Sequence, residues 1–182
     1  MTDISFIDFE TTGLLKEGSN DFMVQPGIVQ IGAIRVNDKG KEIARLDQII
    51  NPEMSIPEVA SKVHGIYEAD VKKAPTLFEF FPQFADFVLG SRTWGGYNNP
   101  FDQGVLWFQL VRYGFERRFP WPPESLDVMK LVSRHLGPVP GKSHDRWKLG
   151  NAYKEILGKT LEGAHGAIED IAGTVDVWRE IK

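Results

Sequence analysis

Two acidic residues, Asp8 and Glu10, lie one residue apart at the end of an apolar run in the segment "ISFIDFE". Side chains at positions i and i+2 of a β-strand leave the same face, so the two carboxylates would lie side by side. Phe6, Ile7 and Phe9 surround them, and unpaired carboxylates at the end of an otherwise buried strand are costly. A divalent cation would supply the missing positive charge, so the pair is a candidate metal site.

Two further acids and a histidine are candidates on weaker grounds. Asp102, in "GYNNPFD", falls in the first turn of a predicted helix, where the helix dipole favours an acid without any function. Asp170 follows His165 by five residues in "HGAIED", and one continuous helix would place their side chains about 140° apart. They converge only if His165 lies in the loop before the helix, a break that Gly166 permits. An ordinary loop histidine remains the alternative.

Composition excludes several classes of protein. With 42% hydrophobic and 25% charged residues, the chain is neither disordered nor fibrous. It has no cysteine, which excludes disulfides, thiolate metal sites and cysteine nucleophiles. No secretion signal and no apolar run long enough for a membrane span is present, so a cytoplasmic protein without membrane contact is the default. A net charge of -4 counts against a protein that coats duplex nucleic acid, but not against an enzyme that holds a few nucleotides.

The first half of the sequence predicts strands and the second half alternates helices with strands. A turn at 37–40 indicates an antiparallel hairpin, and a capping box at 76–79 indicates a helix start. Strands are predicted at 4–10, 27–36, 42–50 and 92–97, helices after 76 and at 99–115, 146–157 and 167–181, a strand or helix start at 125–136, and a loop at 137–145. For the helix at 99–115, Asn99 is the predicted N-cap and Gly114 the stop. This order predicts an α/β fold with a central mixed five-stranded sheet, three antiparallel strands and then parallel ones, flanked by helices.

The order and combination of the candidate residues resemble a known family. The chain has D-x-E on the first strand, an aspartate opening a middle helix, and H-x4-D beginning the last helix. It resembles the DEDDh group of the DnaQ-like 3'-5' exonucleases, a branch of the ribonuclease-H-like superfamily. The blocks "IVQIGAIRV", "NPEMSIPEVASKVHGI", "GYNNPFDQGVL" and "SLDVMKLV" are similar to the family's and follow its order over nearly the whole chain. A sister group has a tyrosine at the position of Gly166, whereas His165 matches the histidine type.

The resemblance implies a metal-dependent hydrolase. Asp8, Glu10, Asp102 and Asp170 would hold two Mg²⁺ or Mn²⁺ ions, and His165 would be the general base that takes a proton from the attacking water. Carboxylate oxygens suit hard divalent cations in any case. Two such ions can activate a water and stabilise the leaving 3'-oxygen of a phosphodiester.

The family binds the terminal nucleotides of a single strand, which implies substrate contacts in this chain. Candidates are Phe9, the backbone around Thr11, Thr12 and Gly13, and His64 in "VHGI". A packing role fits His64 equally well, and the pleat should turn the Phe9 ring away from the acids. Basic residues that could contact phosphates further along the strand, or form a solvated face, are Arg117, Arg118, Lys142, Arg146 and Lys148.

We expect residues 1–182 to form a single exonuclease domain that acts on 3' ends of single-stranded nucleic acid, with DNA favoured, and releases nucleoside 5'-monophosphates. Two alternatives stay open: an oligoribonuclease-like enzyme that trims RNA, and a proofreading subunit whose main role is docking on a polymerase. With no appended domain expected, processivity would depend on a polymerase partner or on a homodimer.

Overall fold

The structure, a computed structural model, describes residues 3–142, 144, 146–163 and 165–182. Its strands are β1 Ile4–Thr11, β2 Ile28–Val36, β3 Glu42–Ile49, β4 Thr93–Gly96 and β5 Glu124–Asp127. Its helices are α1 Glu58–His64, α2 Glu68–Val71, α3 Leu77–Val88, α4 Pro100–Tyr113, α5 Val128–Leu136, α6 Leu149–Leu157 and α7 Ala167–Ile181.

The strands form a five-stranded sheet in the order β3-β2-β1-β4-β5. β2 pairs antiparallel with both β1 and β3, while β4 runs parallel to both β1 and β5. This arrangement confirms the predicted mixed sheet of the ribonuclease-H-like type. β1, which carries the first two acids, is the central strand and has a neighbour on each side.

Helices cover both faces of the sheet, and the pleat of β1 divides its side chains between them. Ile7 and Phe9 belong to a buried cluster with α3 and α4. Phe6 belongs to a second cluster with α5, α6 and α7. Since Asp8 and Glu10 share the face of Phe6, they point towards the layer that contains α7.

One prediction about a helix start is wrong, and one predicted N-cap is confirmed in position but has a different side-chain role. The helix predicted from residue 146 begins at Leu149, because Trp147 is buried and its Nε1 donates to the carbonyl of Gly137 at 2.9 Å. Asn99 stands at the N-cap position of α4 but makes no capping hydrogen bond. Its Nδ2 donates instead to the carbonyls of Trp94 and Leu126, each at 3.2 Å, so it ties β4 to β5.

The remaining predicted elements follow the expected order. Residues 125–136, which the sequence left open between strand and helix, contain both: most of β5 and all of α5. Within the predicted loop at 137–145, residues 143 and 145 lie outside the described residues. Among the described residues, no helix has the length and apolar character needed to cross a membrane.

Candidate active site

Asp8 and Glu10 are positioned by the pairing of β1 with β2. Asp8 lies opposite Gly32 and Glu10 lies opposite Gln30. Both acids are partly buried, whereas Phe9 between them is only 5% exposed. Asp8 and Glu10 therefore lie side by side on the α7 face of the sheet.

Asp102 reaches the same strand from α4. The ladder between β1 and β4 stops at Phe6 and Gly95, and further along β1 the backbone N–H of Phe9 donates to Asp102 Oδ1 at 3.1 Å. Asp102 is 3% exposed. A surface acid that only complements a helix dipole would be solvated. The burial of Asp102 therefore favours a role together with the acids of β1.

Asp170 and His165 meet where a turn becomes α7. His165 precedes the helix and has a left-handed backbone with φ of 77°, so the two residues do not lie on one continuous helix. The backbone N–H of His165 donates to Asp170 Oδ1 at 3.3 Å. The side chain of His165 is exposed and lines a cleft together with Asp170.

Three of the four predicted acids converge. Asp8, Glu10 and Asp170 each offer one carboxylate oxygen, and these oxygens lie within 4.8 Å of one another. Asp102 stands outside this trio, yet its charge interacts with those of Asp8 and Glu10. We call these four residues the carboxylate cluster.

Burial and mutual repulsion make the carboxylate cluster resist ionisation. Burial, followed by the charge of Asp170, raises the pKa of Asp8 from 3.8 to about 7. Burial, followed by the charges of Asp8 and Asp170, raises the pKa of Glu10 from 4.5 to about 8. Burial also raises the pKa of Asp102 well above its ordinary value, and the charge of Asp8 adds to the effect while the Phe9 N–H opposes it.

The pKa of Asp170 is also raised, with burial again the main cause and the His165 N–H opposing it. These carboxylates repel one another when they are ionised, so a cation between them would stabilise their charged forms. Carboxylate oxygens are also the ligands that hard divalent cations prefer. The residues present therefore fit Mg²⁺ or Mn²⁺, and Asp8, Glu10 and Asp170 offer the ligand atoms already gathered.

Two residues that the sequence did not single out hold α7 against the sheet. Gln30 is buried; its Oε1 accepts from the N–H of Ala167 at 3.2 Å, and its Nε2 donates to Asp47 Oδ1 at 2.7 Å. A Cβ on Gly32 would lie 2.3 Å from the carbonyl carbon of Ala167, so only glycine lets the helix approach. A glycine inside a strand indicates such a close backbone approach, and this signal was present in "IVQIGAIRV".

An open cleft of about 670 Å³ gathers the predicted substrate contacts. Besides Phe9, Glu10, Thr11, Thr12, Gly13 and His64, it is lined by apolar residues that the sequence did not single out, among them Leu14, Val59, Val63 and Phe101. Leu14 is 81% exposed directly after the "TTG" turn. The sequence alone could not reveal that this apolar side chain is exposed. We call this cleft the apolar cleft.

The predicted substrate contacts in the apolar cleft differ in which of their groups can reach a ligand. The ring of Phe9 packs in the core, with centroids 6.0 Å from Phe84 and 6.3 Å from Trp94, so its position does not favour stacking on a base. The hydroxyl of Thr12 accepts from Gly27 N–H at 2.9 Å and donates to Met54 Sδ at 3.5 Å. The hydroxyl of Thr12 is thus used inside the protein, and its backbone N–H also donates to the carbonyl of Gly27 at 2.9 Å.

His64 lies against the end of β1. Its Nδ1 accepts from the N–H of Ile66 at 3.0 Å, which leaves Nε2 as the donor of a neutral ring. Burial lowers the pKa of His64, and the backbone of Thr11 partly opposes this. The ring is therefore favoured in the neutral form.

The mixed sheet and the carboxylate cluster are the arrangement that the sequence led us to expect of a nuclease, and comparison with known proteins identifies the family. The model of the exonuclease (RNase_T) family matches residues 5–178. The chain belongs to this family.

Named relatives are similar over nearly all of this chain. A DNA polymerase III subunit epsilon-like protein of Rhodobacter capsulatus is 33% identical over 94% of this chain and 22% of its own length. A putative bifunctional exonuclease/endonuclease protein of Mycobacterium tuberculosis is 31% identical over 97% of this chain and 26% of its own length. The chain therefore spans about a quarter of these two relatives. The DNA polymerase III subunit epsilon of Rickettsia prowazekii is 29% identical over 94% of this chain and 70% of its own length.

Solved structures share the fold at lower identity. An exonuclease I from Methylocaldum szegediense superposes with a TM-score of 0.77 at 21% identity, over all of this chain and 40% of that one. The nuclease domain of 3'hExo, a DEDDh family member bound to rAMP, gives 0.73 at 20% identity, over 97% of this chain and 90% of that one. Exonuclease X in complex with 5'-overhanging duplex DNA gives 0.65 at 23% identity, over 97% and 90%.

Proposed function

We propose that this chain is a metal-dependent 3'-5' exonuclease domain, spanning residues 1–182, that removes nucleoside 5'-monophosphates from the 3' end of single-stranded nucleic acid, with DNA favoured. The convergence of Asp8, Glu10 and Asp170 within 4.8 Å carries the proposal. A phosphodiester is anionic, so a site of buried carboxylates attracts it only when cations neutralise the acids.

Asp8, Glu10, Asp102 and Asp170 are the proposed ligands of two Mg²⁺ or Mn²⁺ ions. When bound there, such ions would supply Lewis-acid chemistry that activates a water and stabilises the leaving 3'-oxygen. Asp102 keeps Oδ2 available for this role because Phe9 N–H engages Oδ1. The same hydrogen bond fixes the Asp102 side chain against β1.

His165 is the proposed general base. Its exposed imidazole lines the cleft that Asp170 also lines, so a water held at the carboxylates lies beside it. The ring would accept the proton of that water as the phosphorus–oxygen bond forms. The left-handed backbone of His165 directs its N–H back to Asp170. This bond fixes the position of the His165 backbone from which the imidazole extends.

The apolar cleft is the proposed site of the terminal nucleoside. Glu10 is one of its lining residues, so a nucleoside there would have its phosphate at the carboxylates. The backbone around Thr11, Thr12 and Gly13 and the ring of His64, whose Nε2 is buried, are the proposed contacts of this nucleoside. The apolar side chains accept a base of any identity.

A polymerase partner, a homodimer and a cytoplasmic location stay predictions. The relatives named as polymerase III epsilon subunits support a replication or proofreading role for the domain. A neighbouring structure that holds DNA and another that holds rAMP keep both nucleic acids as candidate substrates.

The test is digestion of single-stranded DNA and RNA, each labelled at the 5' or the 3' end, with Mg²⁺ and with EDTA. We expect the 5'-labelled DNA to shorten one nucleotide at a time, and the 3' label to appear at once as a mononucleotide, only with metal. Digestion of RNA alone would establish the oligoribonuclease alternative. No digestion of any strand, with Asp102→Asn indistinguishable from wild type, would contradict the enzymatic proposal and favour a binding module.

A further inference from the structure

A second cleft, distinct from the apolar cleft, adjoins the carboxylate cluster at Asp170. It has a volume of about 530 Å³ and its lining includes His165, Asp170, Arg146 and Lys148. Glu10 lines the apolar cleft and Asp170 lines this one, yet their carboxylate oxygens lie within 4.8 Å of each other. The two clefts therefore meet at the carboxylates.

The second cleft continues into a third one along α5. The third has a volume of about 430 Å³, is lined by Lys130 and Arg134, and shares Met129 and Arg146 with the second. Arg134 is one helical turn after Lys130, about 5–6 Å further along the helix surface. We call the two connected clefts the basic groove, defined by Lys130, Arg134, Arg146 and Lys148.

Three of the four basic side chains of the groove have no ion-pair partner within the described part of the chain, and the fourth has a long one. Among the described residues, Arg134, Arg146 and Lys148 make no ion pair, and Lys130 is 3.8 Å from Asp127 Oδ2. Asp127 itself accepts backbone N–H bonds from Asn98 at 3.0 Å and Met129 at 3.1 Å. The same lining includes two acids, Asp127 and Asp170. Four cationic side chains still leave the groove net positive in a chain of net charge -4, which suits a polyanion.

We propose that the basic groove binds the backbone phosphates of the strand on the 5' side of the cleaved bond, so that the preferred substrate is a single strand of several nucleotides. This inference rests on the proposed function. With the terminal nucleoside in the apolar cleft and its phosphate at the carboxylates, the rest of the strand can continue into the basic groove, which begins at Asp170. Phosphate contacts carry no base information, so this preference is for length and not for sequence.

The test compares substrates that reach the basic groove with substrates that do not. The 4-nitrophenyl ester of thymidine 5'-monophosphate fills only the terminal site, since its leaving group replaces the rest of the strand. Oligothymidylates of two, four, eight and sixteen nucleotides extend progressively further. For the wild-type protein with Mn²⁺ at low salt, we expect kcat/KM to rise with length and then level off.

The double variant Arg134→Gln/Arg146→Gln should lose this length dependence. An exposed charge contact is worth roughly threefold, so kcat/KM on the sixteen-nucleotide strand should fall about tenfold. Hydrolysis of the ester should stay within about twofold, and the salt dependence on the long strand should weaken by a slope of about 0.7 for each phosphate that the variant no longer neutralises. The single variant Arg134→Gln, which lies outside the cleft of His165, should show part of the same loss.

The matched control is Lys72→Gln/Lys73→Gln, which removes the same charge from exposed positions that line none of the three clefts. It should keep the wild-type length dependence. Equal kcat/KM for two and sixteen nucleotides in the wild type would overturn the inference. So would arginine variants that keep the length dependence, or lysine controls that lose as much.

Binding separates this inference from the proposed function. If the wild type hydrolyses neither the ester nor any strand, the proposed function fails, and anisotropy of a 5'-fluorescein sixteen-nucleotide strand in Ca²⁺ still tests the basic groove. We expect weaker binding for Arg134→Gln/Arg146→Gln and wild-type binding for the lysine control. Equal binding by all three proteins would overturn the inference.

Discussion

Asp8 and Glu10 are carried by a central strand, whereas Asp170 and His165 lie where a turn becomes a helix. We call these the strand side and the helix side of the site. The strand side is fixed by the pairing of Asp8 and Glu10 with β2 and by the ladder with β4 that ends at Phe6. Beyond that ladder, the bond from Phe9 N–H to Asp102 continues the contact. The helix side depends on tertiary packing: Gln30 with Ala167, the close approach at Gly32, and the burial of the apolar face of α7. The left-handed backbone of His165 then sets the turn before the helix.

The difference bears on how each side can fail. A register error in β1 would move its whole row of side chains to the other face, so the strand side is either correct or absent. A non-glycine residue with left-handed backbone costs about 1–3 kcal/mol and persists only when its surroundings impose it. We therefore expect the helix side to respond in graded fashion to changes in the contacts that hold it.

The largest effect should come from the strand side. Asp8→Asn keeps the size of the side chain but removes a charge that faces Glu10 and Asp170, and we expect kcat to fall by about 10³-fold or more, the scale of losing a principal electrostatic stabiliser. The measurement is stepwise shortening of a 5'-labelled strand with Mg²⁺. Asp38→Asn, at an exposed turn, is the control and should be fully active. More than a tenth of wild-type activity in Asp8→Asn would remove Asp8 from the proposed ligand set.

On the helix side, His165→Ala should reduce kcat by about 10²-fold or more, because general base catalysis contributes on that scale. The side chain is exposed, so the thermal unfolding midpoint should hardly change. The exposed His135 on α5 provides the matched variant, His135→Ala, which should cleave at the wild-type rate. Wild-type cleavage by His165→Ala would show that another group accepts the proton.

A smaller effect should follow from changing the contact between the two sides. Gln30→Leu removes the acceptor of Ala167 N–H and leaves that buried donor unpaired, and we expect α7 to shift and apparent Mn²⁺ affinity or activity to fall about 10–100-fold. Two quantities are measured: the Mn²⁺ concentration needed for half-maximal activity and the thermal unfolding midpoint. We expect a large change in the first and a modest decrease in the second.

Gln48→Leu on β3 is the control for Gln30→Leu, since the Gln48 amide donates to the neighbouring carbonyl of Ile49 on the same strand. It should leave the metal dependence unchanged. A Gln30→Leu protein that loses stability but keeps wild-type metal dependence would show that Gln30 supports the fold without positioning Asp170.

The smallest expected effect is a pH dependence of stability in metal-free protein. The folded-state pKa values of Asp8 and Glu10 are raised from 3.8 and 4.5 to about 7 and about 8, so between these limits the folded chain binds more protons than the unfolded one. Their contribution to the free energy of unfolding is thus greatest below about pH 4 and is lost as pH rises towards about 8.

The check on this sign is the difference in unfolding midpoint between wild type and Glu10→Gln, in EDTA, at about pH 5 and about pH 8.5. Because glutamine does not ionise, the wild type should lose stability relative to the variant as pH rises. Adding Mn²⁺ at the higher pH should restore the wild type and have less effect on the variant. If the difference in unfolding midpoint did not change with pH, neither burial nor the neighbouring carboxylates would raise the pKa of Glu10.

The sequence predicted most of the fold for identifiable reasons, and it singled out the three acids that the structure brings together. Alternation and turn chemistry specify β1, β2 and β3, and the i, i+2 spacing alone places Asp8 beside Glu10. The sequence could not predict the start of α6, because a tertiary contact of Trp147 with Gly137 decides it. Nor could it predict that the amide of Asn99 ties strands together instead of capping α4.

Parts of the site that depend on distant contacts were also beyond prediction. Gly166 permitted a break before α7, but the left-handed turn of His165 and the anchor at Gln30 appear only when β2 and α7 pack together. Similarly, the apolar cleft gathers residues from β1, α1 and α4, which no local pattern relates. Residue types indicate the chemistry, while tertiary packing determines which side chains come into contact.

Calorimetric titration of metal-free protein with Mn²⁺ tests the central claim, that the carboxylates form a metal site beside which His165 acts without ligating. We predict two ions bound by the wild type, unchanged binding by His165→Ala, and loss of at least one ion by Asp170→Asn. Absence of binding by the wild type, wild-type binding by Asp170→Asn, or loss of binding by His165→Ala would contradict the account.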